Sequence, residues 1–139
     1  MCGFSQKFYA ILLLFQWSIL PLLDNDATDE FVYEVHVYTG LKSNSGTDSK
    51  VSLIVAGTVS DSGIRKLEDG VREKPFESGG VTSFLMSTPD DLGIPATLKI
   101  WHDNSGEGKK AGWYCSKVVV VDVKKNEWCV IFHIGEILK

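Results

Sequence analysis

Thr97-Leu98-Lys99-Ile100-Trp101-His102-Asp103-Asn104-Ser105-Gly106-Glu107-Gly108-Lys109-Lys110-Ala111-Gly112-Trp113-Tyr114-Cys115-Ser116-Lys117-Val118-Val119-Val120-Val121 is the most informative stretch of this chain. A polar, glycine-rich loop is flanked by two strand-like runs, and a tryptophan stands at each mouth of it. The second run ends in four consecutive valines. A β-branched run with both faces apolar suits a central strand covered on each side. Both tryptophans are expected to anchor the loop in the core, given the area that an indole buries. Binding groups concentrate on loops held by rigid elements, so this loop belongs to any recognition surface the protein has.

The same pattern extends outward. Val35 and Val37 alternate with Glu34, His36 and Tyr38, the period of a half-buried strand with one wet face. Further strands are expected at 50–56, 64–67, 81–87, 96–102, 113–123 and 127–133, separated by turn chemistry such as Thr39-Gly40, Pro89-Asp90-Asp91 and Lys124-Lys125-Asn126. No helical period competes with them from residue 31 onward, so the fold class is an all-β antiparallel sandwich.

The first part of the chain differs. Residues 8–23 form one apolar run interrupted by Gln16, Ser18 and Pro21. It is slightly shorter than the ~20 residues a membrane span needs, and no small-x-small cleavage site follows it. Residues 1–23 are therefore read as a hydrophobic segment (signal anchor or end of a span, signal peptide, or start-site artefact), residues 24–31 as a linker, and 32–139 as the sandwich. Lys7 before the run and Asp24, Asp26, Asp29 and Glu30 after it, taken alone, give a weak signal by the positive-inside rule that the following domain lies outside the cell, a rule in which acids count for little.

Composition narrows the function. With 139 residues, 44% hydrophobic and 23% charged, the chain is globular, and a net charge of -4 argues against a general nucleic-acid binder. Cys2, Cys115 and Cys129 lack the CxxC spacing of a zinc or redox site and read as small buried hydrophobes. His36, His102 and His133 are scattered, and no nucleophile-elbow or zincin motif organises them, so no catalysis is expected. If each strand crosses the sandwich once, loops 41–49, 68–80 and 103–112 share one end. They carry Asp48, Glu68, Asp69, Glu73, Glu77, Asp103 and Glu107 beside Lys42, Arg72, Lys74, Lys109 and Lys110. Spacing alone leaves three readings of that end: a solvated rim, a calcium site built from loop oxygens, or a basic surface for anionic lipid or protein. The lipid reading uses Lys42, Lys74, Lys109 and Lys110, with protein binding without lipid as the alternative.

Several stretches also carry a resemblance: Pro21-Leu22-Leu23-Asp24-Asn25 leading to Tyr33-Glu34-Val35, Thr39-Gly40 with Gly46-Thr47, Ser87-Thr88-Pro89 with Leu92-Gly93, and Trp101-His102-Asp103-Asn104 with Gly112-Trp113-Tyr114. In these the chain resembles the PLAT (lipoxygenase homology, LH2) domain of the polycystin-1-like family. The resemblance implies a non-catalytic sandwich of about eight strands that meets membranes and proteins. In this branch it implies a membrane-associated protein whose PLAT domain is cytosolic, with anionic phospholipid, regulatory proteins and calcium as partners. It places calcium at Gly46, Thr47, Asp48 and Glu77. Lys74-Pro75-Phe76 supplies no further side-chain oxygen where the family has Asn-Asp. Ser78 and Thr82 stand where the family has an arginine–aspartate pair, and residues 133–139 depart from its last strand.

Overall fold

Alternating β-branched and aromatic residues become strands throughout the computed structural model, which describes residues 18–107, 112–125 and 129–137. The strands are β1 (Ile19–Pro21), β2 (Phe31–Thr39), β3 (Val51–Gly57), β4 (Arg65–Lys66), β5 (Val81–Thr88), β6 (Pro95–His102), β7 (Trp113–Asp122) and β8 (Cys129–Ile137). They form a five-stranded sheet in the order β1-β5-β2-β7-β8 and a three-stranded sheet in the order β4-β3-β6. Every pairing is antiparallel except β1 with β5.

The core lies between the sheets. Tyr33, Val35 and Val37 of β2, Phe84 and Met86 of β5, and Val118 and Val120 of β7 face Val51, Leu53 and Val55 of β3, all fully buried or nearly so. Burying a side chain of this size contributes up to about 1.5–3 kcal/mol, so the period of two in these strands supplies much of the drive to fold. As the four valines imply, β7 is central and buried on both faces.

Three features differ from the sequence expectation. The face of β2 read as wet is buried at Glu34 and His36. The apolar run and linker are partly built into the sandwich: β1 pairs with β5, Leu22 joins the core, and Arg65 holds Asp24 and Asn25 at 2.6 and 2.7 Å. Asn25 in turn bonds the backbone of Leu85 and Ser87. Residues 1–17 lie outside the described residues. Finally, β8 continues to Ile137, opposite Trp113, so residues 133–137 extend the strand that the departure from the family pattern cut short.

Candidate functional site

Strand direction gathers the loops. The end of β2 meets the beginnings of β5 and β7, with Tyr38 opposite Val81 and Thr39 opposite Cys115, and Val51 of β3 lies opposite His102 of β6. Loops 40–50 and 67–80 and the described ends of the third loop, residues 103–107 and 112, therefore share one pole. Direct bonds join them. Gly79 N donates to Gly40 O (2.8 Å), Thr47 N to Phe76 O (3.0 Å), Tyr114 N to Ser45 O (2.8 Å) and Asp103 N to Lys50 O (3.0 Å). Gly106 N donates to Ser49 Oγ at 2.8 Å. The approach of the first two loops requires glycine, because a Cβ on Gly46 would lie 2.5 Å from Phe76 O. Ser78 and Thr82 have local partners of their own: Ser78 Oγ accepts from Gly46 N, and Thr82 Oγ1 donates to Pro75 O.

The two tryptophans play different parts. Trp113 is buried beneath the pole, 5.1 Å from the Phe76 ring, and its indole N–H donates to Thr39 Oγ1 at 3.2 Å. Trp101 does not anchor the core. It pairs with Ser52, while Leu53 and Ile100 of the next pair point inward. Its half-buried ring thus lies on the outer face of the three-stranded sheet, with Lys99 Nζ 5.8 Å from its centroid. His102, between Trp101 and the loop, accepts from Asn104 N through Nδ1 and contacts Ile137 O through Nε2. Both ring nitrogens are engaged by backbone.

Of the basic residues assigned to lipid, Lys42 and Lys74 are exposed on adjoining loops. Lys109 and Lys110 lie outside the described residues. Gly46, Thr47, Asp48 and Glu77 fall on neighbouring backbone, since Thr47 pairs with Phe76. Yet Thr47 is buried, with its Oγ1 accepting from Ser49 N, and only Asp48 and Glu77 bring carboxylates. Calcium takes six to eight oxygens. Among the described residues no three acidic, histidine or cysteine side chains converge.

Other loop acids are committed elsewhere. Burial alone would raise Asp69, but bonds from the N–H groups of Arg72 and Val71 and from the Arg72 guanidinium outweigh it and hold the carboxyl below its ordinary value. Asp103 is likewise lowered, chiefly by the Ser105 hydroxyl, and accepts from Lys50 N. Arg72 also donates to Ser18 O and Ser83 O at 3.3 and 2.9 Å, bracing the second loop against β1 and β5.

The structure adds apolar residues to this pole. Leu41 is 89% exposed beside Lys42, and Tyr114 and Val81 are also exposed. With Tyr38, Trp113 and Lys117 they line a groove of about 980 Å³. The signal was local: Leu41 is an apolar residue in a polar loop, and Tyr114 alternates with the inward Trp113 and Cys115.

Comparison with known proteins agrees with this architecture. The chain is 38% identical over 112 residues to polycystin-1-like protein 3 of Homo sapiens, a match covering 80% of this chain and 6% of the relative. It is 37% identical over 91 residues to human lipoxygenase homology domain-containing protein 1, covering 66% of this chain and 4% of the relative. The chain thus spans only a few per cent of the length of these relatives. Among solved structures, coral 8R-lipoxygenase, whose description reads calcium activation via a C2-like domain, superposes with a TM-score of 0.66 at 20% identity. That match covers 78% of this chain and 16% of the lipoxygenase, and it bears on fold alone. The PLAT/LH2 domain model matches residues 33–139, and the chain belongs to the PLAT/LH2 domain family.

Proposed function

We propose that this domain is a non-catalytic docking module whose loop pole meets an anionic phospholipid surface on the cytosolic side of a membrane, within a polycystin-1-like protein. The observation that carries the proposal is the exposed Leu41 beside Lys42, on a loop hydrogen-bonded to the one that bears Lys74. A leucine side chain entering the headgroup boundary gains up to about 1.5–3 kcal/mol, and each lysine near an anionic surface about 1 kcal/mol. Lys109 and Lys110, outside the described residues, belong by sequence to the third loop. The sum suits a reversible, salt-sensitive contact, with the exposed charges screened over ~3 Å at 1 M salt.

Vesicle co-sedimentation tests the proposal. Binding to phosphatidylserine vesicles should weaken with salt, with Leu41→Ser, and with Lys42, Lys74, Lys109 and Lys110 changed together to alanine. Equal binding to neutral vesicles by all variants would remove it. A second use of the pole is favoured by the groove between Leu41, Tyr114 and Lys117: a regulatory protein segment seated there would be retained at high salt and ignore lipid composition.

A further inference from the structure

The two sheets have four outer strands, and three of them are guarded. β1 has three residues. β4 has two, and Asp24 Oδ2 accepts from Lys66 N at 3.2 Å. β8 is interrupted by Gly135 at φ 116°. Short, interrupted or covered edges resist pairing with another chain. β6 differs. It runs for eight residues, its register with β3 is unbroken from Thr97 to His102, and among the described residues no strand lies on its other side.

The bonding pattern shows which groups that edge offers. Asp103 N donates to Lys50 O, while Val51 O and Val55 O accept from Leu67 N and Ser62 N instead. Alternation then turns the backbone groups of Thr97, Lys99 and Trp101 towards β3, and those of Leu98, Ile100 and His102 outward along the open edge. Thr97, Lys99 and Trp101 share the outer face, where Thr97 and Lys99 are exposed.

A lysine is itself a guard against pairing, so the setting of Lys99 decides what fits. Lysine directly opposite lysine would repel. Reversed about Ile100, β6 meets itself differently: Leu98 lies opposite His102, Ile100 opposite Ile100, and Lys99 opposite Trp101. All three outward residues then find backbone partners. Lys99 Nζ, already 5.8 Å from the ring of its own Trp101, would lie beside the other copy's ring as well, an attraction of cation for π face. The exposed Asp103 carboxylate of that copy is its diagonal neighbour, at the ~7–8 Å of such pairs. A strand with a cation in its middle and an anion past its end is its own complement when reversed. We propose that β6 of two copies pairs antiparallel about a two-fold axis at Ile100, joining the two three-stranded sheets into one. Because β6 ends at the loop pole, the two poles of this dimer face opposite ways, and pairing competes with the docking of both copies on one flat surface.

The test uses the full 139-residue chain without lipid. Sedimentation equilibrium over a concentration series should show monomer and dimer, and Lys99→Asp should raise the dissociation constant about tenfold or more by facing Asp103 with a like charge. A monomer at every concentration, or a dimer indifferent to Lys99→Asp, would overturn the proposal. Cross-linking checks the register. Lys99→Cys is made in one preparation and Trp101→Cys in another, both with Cys2→Ser and Cys129→Ser. Cys115 adds no background, because burial pushes its thiol up to about 12. Residues 99 and 101 of opposite copies would have Cα atoms ~4.5 Å apart, inside the disulfide range of about 4.4–6.8 Å. Residue 99 and its own counterpart would be diagonal, at ~7–8 Å. Mild oxidation should therefore give covalent dimer from the mixture and little from either preparation alone. Equal yields from all three would place the contact on another surface and overturn the idea. Neither readout requires the loop pole to bind lipid, so pairing and docking can fail separately.

Discussion

The two poles of the sandwich use their side chains in opposite ways. Away from the docking loops, the Tyr33 hydroxyl donates to Asp91 at 3.2 Å and accepts from Leu92 N at 3.0 Å, while Asp91 also holds Gly93 N and Lys125 Nζ. Leu92 is fully buried there, and its carbonyl lies so close to Gly57 that a Cβ would sit 2.1 Å away. Burial raises the Tyr33 phenol to about 12. That pole is a plug. At the loop pole, backbone bonds and Trp113 build the floor, and Leu41, Lys42 and Lys74 are left to solvent. Polar groups spent on one another stabilise the domain, whereas those left exposed are available to a partner.

Substitutions should separate the two roles. Trp113→Ala removes the floor of the loop pole and is expected to cost about 3–5 kcal/mol by denaturant unfolding, weakening vesicle binding as well. A cost under ~1 kcal/mol would show that the floor does not depend on the indole. Tyr33→Phe leaves the buried Leu92 N–H without its acceptor, which should cost about 1–3 kcal/mol with vesicle binding unchanged. Lys42→Ala with Lys74→Ala should do the reverse: stability within ~0.5 kcal/mol, and affinity for phosphatidylserine lower by about 2 kcal/mol, roughly 30-fold. If Tyr33→Phe altered lipid binding as strongly as the lysine pair did, the division between the poles would fail.

The smallest expected effect is on pH dependence. The folded Asp69 carboxyl lies below its ordinary value of 3.8, so the native state binds its proton less readily than the unfolded chain does. Its contribution is complete above that value and is lost as the pH falls through the lower, folded one. Asp69→Asn should therefore flatten the acid limb of the stability curve, and an unchanged limb would place the acid sensitivity elsewhere.

Much of this was legible in the sequence because it rests on a period of two. The strands, the central position of the four valines and the gathering of the three loops all follow from alternation and turn chemistry. The parity that separates the tryptophans was legible as well: Trp113 shares its face with Cys115, and Trp101 shares its face with Lys99 and Thr97. Expecting both to be core anchors gave weight to indole area over alternation. Other features had no local signal. A three-residue β1 inside an apolar run shows no period, and Glu34 and His36 read as wet because alternation reports a face, not what lies over it. At the candidate site, the neighbourhood of Gly46 and Glu77 followed from the loops, but the commitment of Asp69 to Arg72 needed three dimensions.

The bonds from Arg65 to Asp24, Asn25 and the carbonyl of Ser87 have a mechanical consequence. With β1 they leave no hinge between residue 19 and the sandwich, so the chain at Ser18 turns with the domain as one body. A fluorophore placed there would report the tilt and tumbling of the whole sandwich on a surface, with anisotropy decay free of the fast local component that a slack tether would add.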